Sequence, residues 1–263
     1  MSQGDLLTFP AIQGGAPGQT QVSGRYEVRF ARTPADLDRI LRLRYEVFNL
    51  ELKEGLAASL ISGRDEDEFD RKFHHLLIAE RETGEVVGTY RMQTAEMAAR
   101  HGYYSSGLFE VEALPGEVLA AAVEIGRACV ARAHRNGRVL QLLWRGLASY
   151  LSWNDKRMLF GCCSLTSQDQ ALGASVHSWL ERKGHVHQAL RVEPREPHRC
   201  GSAQSGVAGY PPPHVPALFL AYLKIGARVL GPPAIDREFR TIDWLVMLDI
   251  CELPAPVYRT MFQ

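Results

Sequence analysis

The most constraining stretch of this sequence is residues 124–130, where an apolar, strand-like run begins with two charges. Its isoleucine, cysteine and valine residues are typical of a buried strand that leads into a turn. The same run carries Glu124 and Arg127, and a charge in a sheet core costs several kcal/mol unless it is paired or functional. Strict alternation places these two side chains on opposite faces, so both serve one cleft only if the strand is bulged or splayed.

A basic, glycine-containing turn follows this strand and opens onto an amphipathic helix predicted for residues 139–154. Exposed amide groups at that helix start, with Arg135 and Arg138 beside them, suit a phosphate or pyrophosphate. An Arg-Asn-Gly run is also an ordinary turn, so this signal is weak by itself. A carboxylate on a strand, followed by an anion cradle, favours acyl transfer from a phosphopantetheine carrier.

Length and composition narrow the class of protein. A chain of 263 residues suits one large domain or two small ones, and its zero formal net charge gives no global basic field for nucleic acid. No apolar run reaches the roughly 18 residues that span a bilayer, and the N-terminus does not have the pattern of a signal peptide. Five cysteines do not resemble a secreted disulfide framework. We therefore expect a cytoplasmic protein that does not bind nucleic acid.

The chain is predicted to form one domain. Residues 1–23 are rich in Gly, Gln, Pro and Ser and are predicted to be a flexible leader, which leaves 24–263 as a single domain. Residues 193–216 are dense in Pro, Gly, His and Ser, and are predicted to form a functional lid or to be partly disordered.

Periodicity and turn signals predict the elements of this domain. Thr33-Pro34-Ala35-Asp36 is a clear helix start, with Thr as N-cap and Asp reaching back. The predicted strands span residues 25–31, 75–79, 86–92, 158–163, 186–192 and 241–250, and the further predicted helices span 168–182 and 217–228.

Four charged residues each allow a functional and a purely structural interpretation. Arg44 shares a predicted apolar helix face with Phe48, where it either snorkels or pairs with a carboxylate or ligand. Asp67 and Asp70 lie in an acidic run, and most such runs are solvated loops. Glu124 suits a general base for an amine nucleophile, or it forms an ion pair with an arginine that merely satisfies itself.

Metal and thiol chemistry are disfavoured by spacing. His74-His75, Cys162-Cys163 and His198-Arg199-Cys200 lack the paired spacings of a zinc site. Adjacent cysteines in a strand point to opposite faces, so Cys162 and Cys163 are predicted to pack in the core. A Cys–His nucleophile has no local signature here.

Four short motifs, in this order, resemble a known group of enzymes. They are Arg44-Tyr45-Glu46-Val47-Phe48, Asp67-Glu68-Phe69-Asp70, Gly88-Thr89-Tyr90-Arg91 and Glu124-Ile125-Gly126-Arg127. They are similar to motifs of the acyl-homoserine-lactone synthases and, more closely over residues 25–250, of the ornithine-lipid-forming and N-acyl amino acid synthases. Residues 234–243 also look like the second group. Both groups are GNAT-like N-acyltransferases.

The resemblance implies a fold and a reaction. The fold is α/β (α+β), with a mixed, mostly antiparallel central sheet that is flanked by helices and splayed in a V between the strands at Glu124 and at residues 158–163. The reaction moves a long-chain acyl group, 3-hydroxylated in some members, from acyl carrier protein to the α-amine of an amino acid. Ornithine is the favoured acceptor, which gives lyso-ornithine lipid. No cofactor or metal is bound, and the acyl-phosphopantetheine of the carrier is a co-substrate.

The resemblance also assigns site residues. Glu124 matches the proposed general base, with Arg127 beside it as a catalytic residue. The charged cluster that shapes the cleft corresponds to Arg44, Asp67, Asp70, Arg91 and Arg127, with Phe48 as a further substrate-site residue. An acidic carrier protein suits the basic turn better than CoA does, because the CoA-dependent loop is more glycine-rich. The phosphopantetheine or carrier contacts are then Arg132, Arg135, Asn136, Gly137 and Arg138.

Alternatives stay open within and outside this group. The acceptor is glycine or an aromatic amino acid in one alternative, and the protein is an acyl-homoserine-lactone synthase in another. A different class is a catalytically silent GNAT-like binding module. Because an N-acylated product partitions into membranes, peripheral contact with the inner membrane is a further expectation.

Overall fold

The computed structural model describes residues 15–200 and 215–262. The strands within these ranges are β1 (Gln21–Ser23), β2 (Tyr26–Phe30), β3 (His74–Glu80), β4 (Val86–Thr94), β5 (Ala122–Val130), β6 (Met158–Leu165), β7 (Arg228–Val229), β8 (Ala234–Asp236) and β9 (Thr241–Asp249). The α-helices are α1 (Pro34–Arg44), α2 (Ser59–Ser62), α3 (Ala95–His101), α4 (Gly116–Ala120), α5 (Arg138–Trp153), α6 (Gln170–Arg182), α7 (Ala217–Lys224) and α8 (Ala255–Phe262).

The chain divides into two compact units, which are described separately. Unit 1 comprises Met1–His101, Ile125–Lys156 and Met261–Gln263, and unit 2 comprises Gly102–Glu124 and Arg157–Thr260. Strand β5 thus contributes its first three residues to unit 2 and the others to unit 1. The prediction of a single domain over residues 24–263 stays a prediction.

Unit 1 contains a sheet with the strand order β1-β2-β3-β4-β5, in which the first three neighbouring pairs are antiparallel. Gln21 pairs with Val28, and Ser23 pairs with Tyr26. The prediction of a flexible leader up to residue 23 is therefore wrong for residues 21–23, because backbone pairing with β2 orders them. Residues 1–14 of that leader lie outside the described part of the chain.

Helix α1 begins as predicted, with a reciprocal capping box. Thr33 Oγ1 accepts a hydrogen bond from the Asp36 amide at 3.1 Å, and Asp36 Oδ2 accepts from the Thr33 amide at 3.2 Å. The helix continues directly into a π-helical segment, Tyr45–Glu51. The wider π-helical turn changes the register that a 3.6-residue period predicts for Phe48. Phe48 is partly buried and packs against an apolar cluster of unit 1 that includes Leu77.

Helix α5 packs closely against β3 and β4 because two glycines remove side chains from the contact. A Cβ on Gly146 would lie 2.5 Å from Leu76 Cδ2, and a Cβ on Gly88 would lie 2.8 Å from Val139 Cγ1. Helix α5 spans nearly the residues predicted from its amphipathic pattern. The predicted helix is confirmed within one residue at each end.

Unit 2 contains a sheet built around β6. Ala122, Val123 and Glu124 of β5 pair in parallel with Met158, Leu159 and Phe160, whereas β9 pairs antiparallel with β6 from Met158 to Leu165. Strands β7 and β8 both pair antiparallel with β9. The predicted class, a mixed and mostly antiparallel sheet flanked by helices, is confirmed. The V-shaped splay stays a prediction.

Two predictions for unit 2 have different outcomes. The prediction of a strand at residues 186–192 is wrong. The neighbouring strand β7 is two residues long, and the backbone pairing with it is an isolated bridge between Val186 and Val229. Most of the predicted lid, residues 201–214, lies outside the described residues. The preceding part is held by bridges from Pro194 to Phe109 and from Arg199 to Ala234.

Candidate active site

A buried network of charged side chains lies in unit 1. Its members, three arginines and three aspartates, come from α1, the acidic loop and strands β4 and β5, and they are Arg44, Asp65, Asp67, Asp70, Arg91 and Arg127. Their formal charges cancel. A balanced set of this kind avoids the large free-energy cost of burying an isolated charge.

Arg44 is the centre of the network and is fully buried. Its Nη1 and Nη2 donate to the two carboxylate oxygens of Asp70 at 2.5 and 3.3 Å, and its Nε donates to Asp65 Oδ2 at 3.3 Å. A bidentate contact of this geometry matches the planar guanidinium. The snorkelling interpretation of Arg44 is therefore wrong, because its head group is buried among carboxylates.

Arg91 and Arg127 join the network from two strands. Arg91 Nη1 donates to Asp67 Oδ1 at 2.5 Å and to Asp70 Oδ1 at 2.9 Å. Arg127 Nη2 donates to Asp67 Oδ2 at 3.0 Å, and its Nε lies 3.5 Å from Asp65 Oδ2. Asp70 also accepts from the Asp67 amide at 2.8 Å. The acidic loop is therefore folded inward, and the interpretation of Asp70 as a solvated loop acid is wrong.

The network sets the protonation states of its members. Burial alone would raise the pKa of Asp70, but the charges of Arg44 and Arg91 outweigh it and hold the pKa of Asp70 well below its usual range. Burial likewise acts to raise the pKa of Asp65, but the charges of Arg44 and Arg127 outweigh it, so the pKa of Asp65 is lowered. These carboxylates remain ionised near neutral pH.

His75, on β3, is a buried neighbour of this network. Its Nε2–H donates to the backbone carbonyl of Asp70 at 2.8 Å. Burial lowers the pKa of His75 to about 4, although the charge of Asp70 acts in the opposite direction. The imidazole is therefore neutral near pH 7 and fixes the turn that presents Asp70.

Sequence reasoning identified most of this network but missed Asp65 and His75. Asp65 stands at the start of the acidic run, and its amide donates to the carbonyl of Leu41 at 3.1 Å, which ties the loop to α1. A loop has no periodicity that tells which of its acids is buried, so the pattern alone did not separate Asp65 from Glu66. Phe48, predicted to belong to the substrate site, packs on the apolar cluster described above.

The backbone of β5 is distorted where Arg127 joins the network. Arg127 has a φ of +50°, in the left-handed region that a non-glycine residue rarely adopts within a strand. This conformation interrupts the strict alternation of the strand, as a bulge does. The guanidinium of Arg127 thereby meets Asp65 and Asp67.

Glu124 belongs to unit 2 and is held by backbone amides. Its Oε1 accepts from the Ser105 amide at 2.7 Å, and its Oε2 accepts from the Tyr104 amide at 3.0 Å. The carboxylate is buried, with 2% of the residue exposed. Charge-assisted hydrogen bonds from two consecutive amides fix the orientation of this side chain.

The two adjacent cysteines, Cys162 and Cys163, lie on β6, in the same unit as Glu124. Cys162 packs against the apolar cluster of unit 2, and its Sγ donates to Ser105 Oγ at 3.7 Å. Burial raises the pKa of Cys162 and of Cys163, and the charge of Asp243 raises both further. Neither thiol is ionised near neutral pH, so neither has the thiolate character of a nucleophile.

The basic turn before α5 lies in unit 1 and is exposed. The Arg135 guanidinium makes two hydrogen bonds to the Glu51 carboxylate, at 2.5 and 2.8 Å, and Arg138 Nη2 donates to Ser23 Oγ at 2.8 Å. Gly137 is the N-cap of α5 with a φ of +82°, and Asn136 Oδ1 accepts from the Arg138 amide at 3.1 Å. Arg132 is also exposed. The turn presents positive side chains, two of which have partners within the protein.

Across residues 15–200 and 215–262, no group of three or more His, Cys, Asp and Glu side chains is arranged to hold a metal ion. Within the same ranges, no helix is long and apolar enough to cross a bilayer.

Known proteins resemble this chain both within one domain and over most of its length. The family described as Acetyltransferase (GNAT) domain matches residues 43–145, which include the last two residues of α1 and all six members of the unit 1 network. A solved structure of the CoA-dependent acyl-homoserine lactone synthase BjaI superposes with a TM-score of 0.50 over 87% of this chain and 81% of its own, at 17% identity. The matched domain and the superposition define a protein of the GNAT fold class.

Curated relatives identify the family. The L-ornithine N(alpha)-acyltransferase of Brucella abortus (strain 2308) is 31% identical in an alignment 249 residues long, which covers 86% of this chain and 85% of that protein. The enzyme of that name from Rhodobacter capsulatus is 30% identical in an alignment 235 residues long, which covers 85% of this chain and 90% of that protein. The chain belongs to the L-ornithine N(alpha)-acyltransferase family.

Proposed function

We propose that this acyltransferase moves a long-chain acyl group, including 3-hydroxyacyl groups, from acyl carrier protein to the α-amine of ornithine. The observation that carries this proposal is the identity of 30–31% to two L-ornithine N(alpha)-acyltransferases over at least 85% of this chain. The product is a lyso-ornithine lipid. Its long acyl chain partitions into membranes, so a cytoplasmic enzyme in peripheral contact with the inner membrane is part of the proposal.

In the proposed mechanism, Glu124 is the general base. It takes a proton from the α-ammonium of the acceptor, directly or through a water, and leaves a neutral amine. The amine attacks the thioester carbonyl, an amide bond forms, and the C–S bond breaks to release the carrier thiol. The fixed orientation of the carboxylate supports this role, because the Tyr104 and Ser105 amides hold it without consuming a second ionisable side chain. Backbone amides of β5 stabilise the oxyanion.

The unit 1 network supports the reaction by fixing β5. Arg127 forms ion pairs with Asp65 and Asp67. Asp65 is also paired with Arg44, and Asp67 is also paired with Arg91. We assign a catalytic role to Arg127, which follows Glu124 by three residues in the sequence. The other members of the network are assigned the role of shaping the cleft. The distorted backbone at Arg127 supports this assignment, since such strain persists only where surrounding contacts over-determine it.

The donor is proposed to be acyl carrier protein rather than CoA. Arg132, Arg135 and Arg138 are exposed around a single turn, and acyl carrier protein is acidic, so the two surfaces have complementary charge. The start of α5 lacks the extra glycines of the CoA-dependent loop. Because Arg135 is paired with Glu51, the contribution of Arg132 and Arg138 to docking is the larger one.

A single assay tests the proposed function. Purified protein is incubated with long-chain 3-hydroxyacyl carrier protein and a mixture of ornithine, glycine, phenylalanine and tyrosine, and the N-acyl products are identified by mass spectrometry. N-acyl ornithine as the dominant product, with one free carrier thiol per amide formed, supports the proposal. A dominant product from another amino acid refutes the acceptor, and absence of thiol release with every amine indicates a non-catalytic binding module. A parallel reaction with the matching acyl-CoA decides the donor.

A further inference from the structure

A short turn of unit 2 holds the carboxylate of Glu124. The turn is the 3₁₀-helical segment Tyr104–Gly107, and the amides of its first two residues donate to Glu124 at 3.0 and 2.7 Å. Amides at the start of a helix have no acceptor within that helix, and here the carboxylate accepts from them. A group that fixes this turn therefore also fixes the carboxylate.

The local sequence gives this turn a shape but leaves its position adjustable. Gly102, with a φ of +78°, precedes the turn, and Gly107 is its last residue. Glycine has more backbone freedom than any other residue, so the chain can pivot on both sides. The Leu108 amide donates to the carbonyl of Ser105 at 3.1 Å, which closes the turn on itself. Contacts from elsewhere in the unit are needed to set where the turn lies.

Residues 193–195 of the same unit brace the chain where it leaves the turn. Pro194 forms an isolated antiparallel bridge with Phe109, and the Arg195 amide donates to the carbonyl of Leu108 at 2.8 Å. Phe109 is fully buried in the apolar cluster of unit 2. The brace therefore ties the end of the turn to the core of the unit.

The side chain of Arg195 contacts the turn itself. Its Nε donates to the backbone carbonyl of Ser106 at 2.6 Å, and its Nη2 pairs with the carboxylate of Glu112. Ser106 directly follows Ser105, whose amide donates to Glu124. The side chain of Glu112 is 61% exposed, and an ion pair that is open to solvent contributes little. The contact of Arg195 with the carbonyl is therefore the one that holds the turn.

We propose that Arg195 is a positioning residue for the general base. It holds the turn Tyr104–Gly107 so that the two amides keep the carboxylate of Glu124 aimed at the acceptor amine. A general base acts only within hydrogen-bond reach of the proton that it takes, and a displacement of about 1 Å can reduce turnover strongly. This inference rests on the proposed function. It gives a task to a residue of the segment 193–216, which the sequence predicted to be a lid.

The experiment compares two variants of the full-length enzyme that differ in one hydrogen-bond donor. Arg195→Gln has an amide nitrogen at the position of Nε, which can still donate to the Ser106 carbonyl, whereas Arg195→Met has a methyl group there. With long-chain 3-hydroxyacyl carrier protein and saturating ornithine, we expect Arg195→Met to lower kcat about tenfold. Arg195→Gln should keep kcat within about threefold of wild type, and KM for the carrier should change less than about twofold in both.

Arg191→Met is the matched control, and circular dichroism confirms folding of every variant. Arg191 pairs with Glu193 at 2.6 Å, and its side chain is 69% exposed. This variant removes the same charge four residues away without changing a contact of the turn. It should keep wild-type kcat.

A double-mutant cycle with Glu124→Gln distinguishes positioning of the base from a general structural role. If Arg195 acts through Glu124, Arg195→Met lowers kcat in the wild-type background. In the Glu124→Gln background it should change kcat by less than about twofold, because the base is already absent. A general structural role predicts the same proportional loss in both backgrounds.

The outcomes separate this inference from the proposed function. A wild-type enzyme that does not acylate ornithine overturns both together. An active wild type overturns this inference alone if Arg195→Met keeps the kcat of Arg191→Met, loses as much as Arg195→Gln, or loses equally in both backgrounds. If Arg195→Met does not fold, the cycle uses Arg195→Lys, whose amine lies one bond beyond the position of Nε. A loss of kcat confined to the wild-type background then supports the inference, and any other result overturns it.

Discussion

Buried charges in this protein are stabilised in two different ways. Arg44 is surrounded by carboxylates of the opposite sign, with Asp70 bound through two nitrogens. Glu124 is held by two backbone amides. The first arrangement depends on other side chains keeping their charge, whereas the second depends on the path of the main chain. Substitutions at the two sites should therefore have different consequences.

Replacement of Glu124 by Gln should reduce kcat by roughly 10²-fold or more, because an amide cannot accept the proton of the amine. The measurement is steady-state release of carrier thiol with ornithine, accompanied by circular dichroism to confirm folding. Glu117→Gln, at an exposed position of α4, is the control and should keep wild-type turnover. Near-wild-type kcat in Glu124→Gln would remove this residue from the role of base.

Replacement of Arg44 by Met should lower the free energy of unfolding by about 3–5 kcal/mol, because it leaves Asp65 and Asp70 buried without their main cation. Urea denaturation at pH 7 measures this change. Arg42→Met is a matched control, since Arg42 bonds Asp38 at 2.8 Å but its side chain is 56% exposed. An exposed pair contributes under about 1 kcal/mol. Similar losses in the two variants would contradict the importance of the buried network.

The lowered pKa of His75 predicts that the free energy of unfolding depends on pH. Its pKa is 6.5 in the unfolded chain and about 4 in the folded protein, so the unfolded state binds more protons between these values. Stability should therefore fall as pH decreases from about 6.5 to about 4. His75→Asn should make the slope of unfolding free energy against pH shallower in that window. His177 and His185, whose pKa values are also lowered by burial, retain part of the slope.

The aspartates act in a different pH window. Asp65 and Asp70 have pKa values below the ordinary 3.8, so their contribution is present above pH 3.8 and is lost as pH falls further. This loss should persist in His75→Asn. Urea midpoints measured from pH 7 to pH 3 distinguish the two windows, and an unaltered slope above pH 4 would show that His75 does not titrate as described.

At the scale of elements, the contact of α5 with the unit 1 sheet depends on the absence of side chains. Gly146→Ala would normally favour a helix by about 1 kcal/mol. Here the added Cβ would lie 2.5 Å from Leu76, so we expect a net loss of about 1–3 kcal/mol in unfolding free energy. Gly116→Ala, where a Cβ meets nothing within 4 Å, is the control. A stabilised Gly146→Ala variant would contradict the close packing of α5.

The elements that the sequence predicted well are those determined by local chemistry. The capping box at Thr33 and the amphipathic pattern of α5 depend only on neighbouring residues. The predicted strand at residues 186–192 failed because its formation depends on a distant partner, and β7 supplies only two residues. The π-helical segment after Arg44 is a similar case, since no 3.6-residue period predicts it.

At the scale of the whole molecule, the formal net charge is zero, so the proposed docking of acyl carrier protein depends on a local basic surface. Arg132→Glu together with Arg138→Glu should weaken binding of acyl carrier protein about tenfold or more at low salt, with a smaller difference at high salt because screening shortens the range of the interaction. Surface plasmon resonance at two ionic strengths measures this. Arg182→Glu with Lys183→Glu makes the same charge change at the exposed end of α6 and serves as control. Equal affinity in both double variants would argue against docking at the basic turn.

The features that could be predicted from the sequence are local: a carboxylate at the start of a central strand, the helix starts, the turns and the order of the charged motifs. These follow from propensities and spacing over a few residues. The three-dimensional fold brings Asp65 and His75 to Arg44 and places Asp243 on the same sheet face as Glu124. Those neighbours are separated by 21 residues or more along the chain, so their proximity depends on strand pairing and burial, which local sequence does not encode.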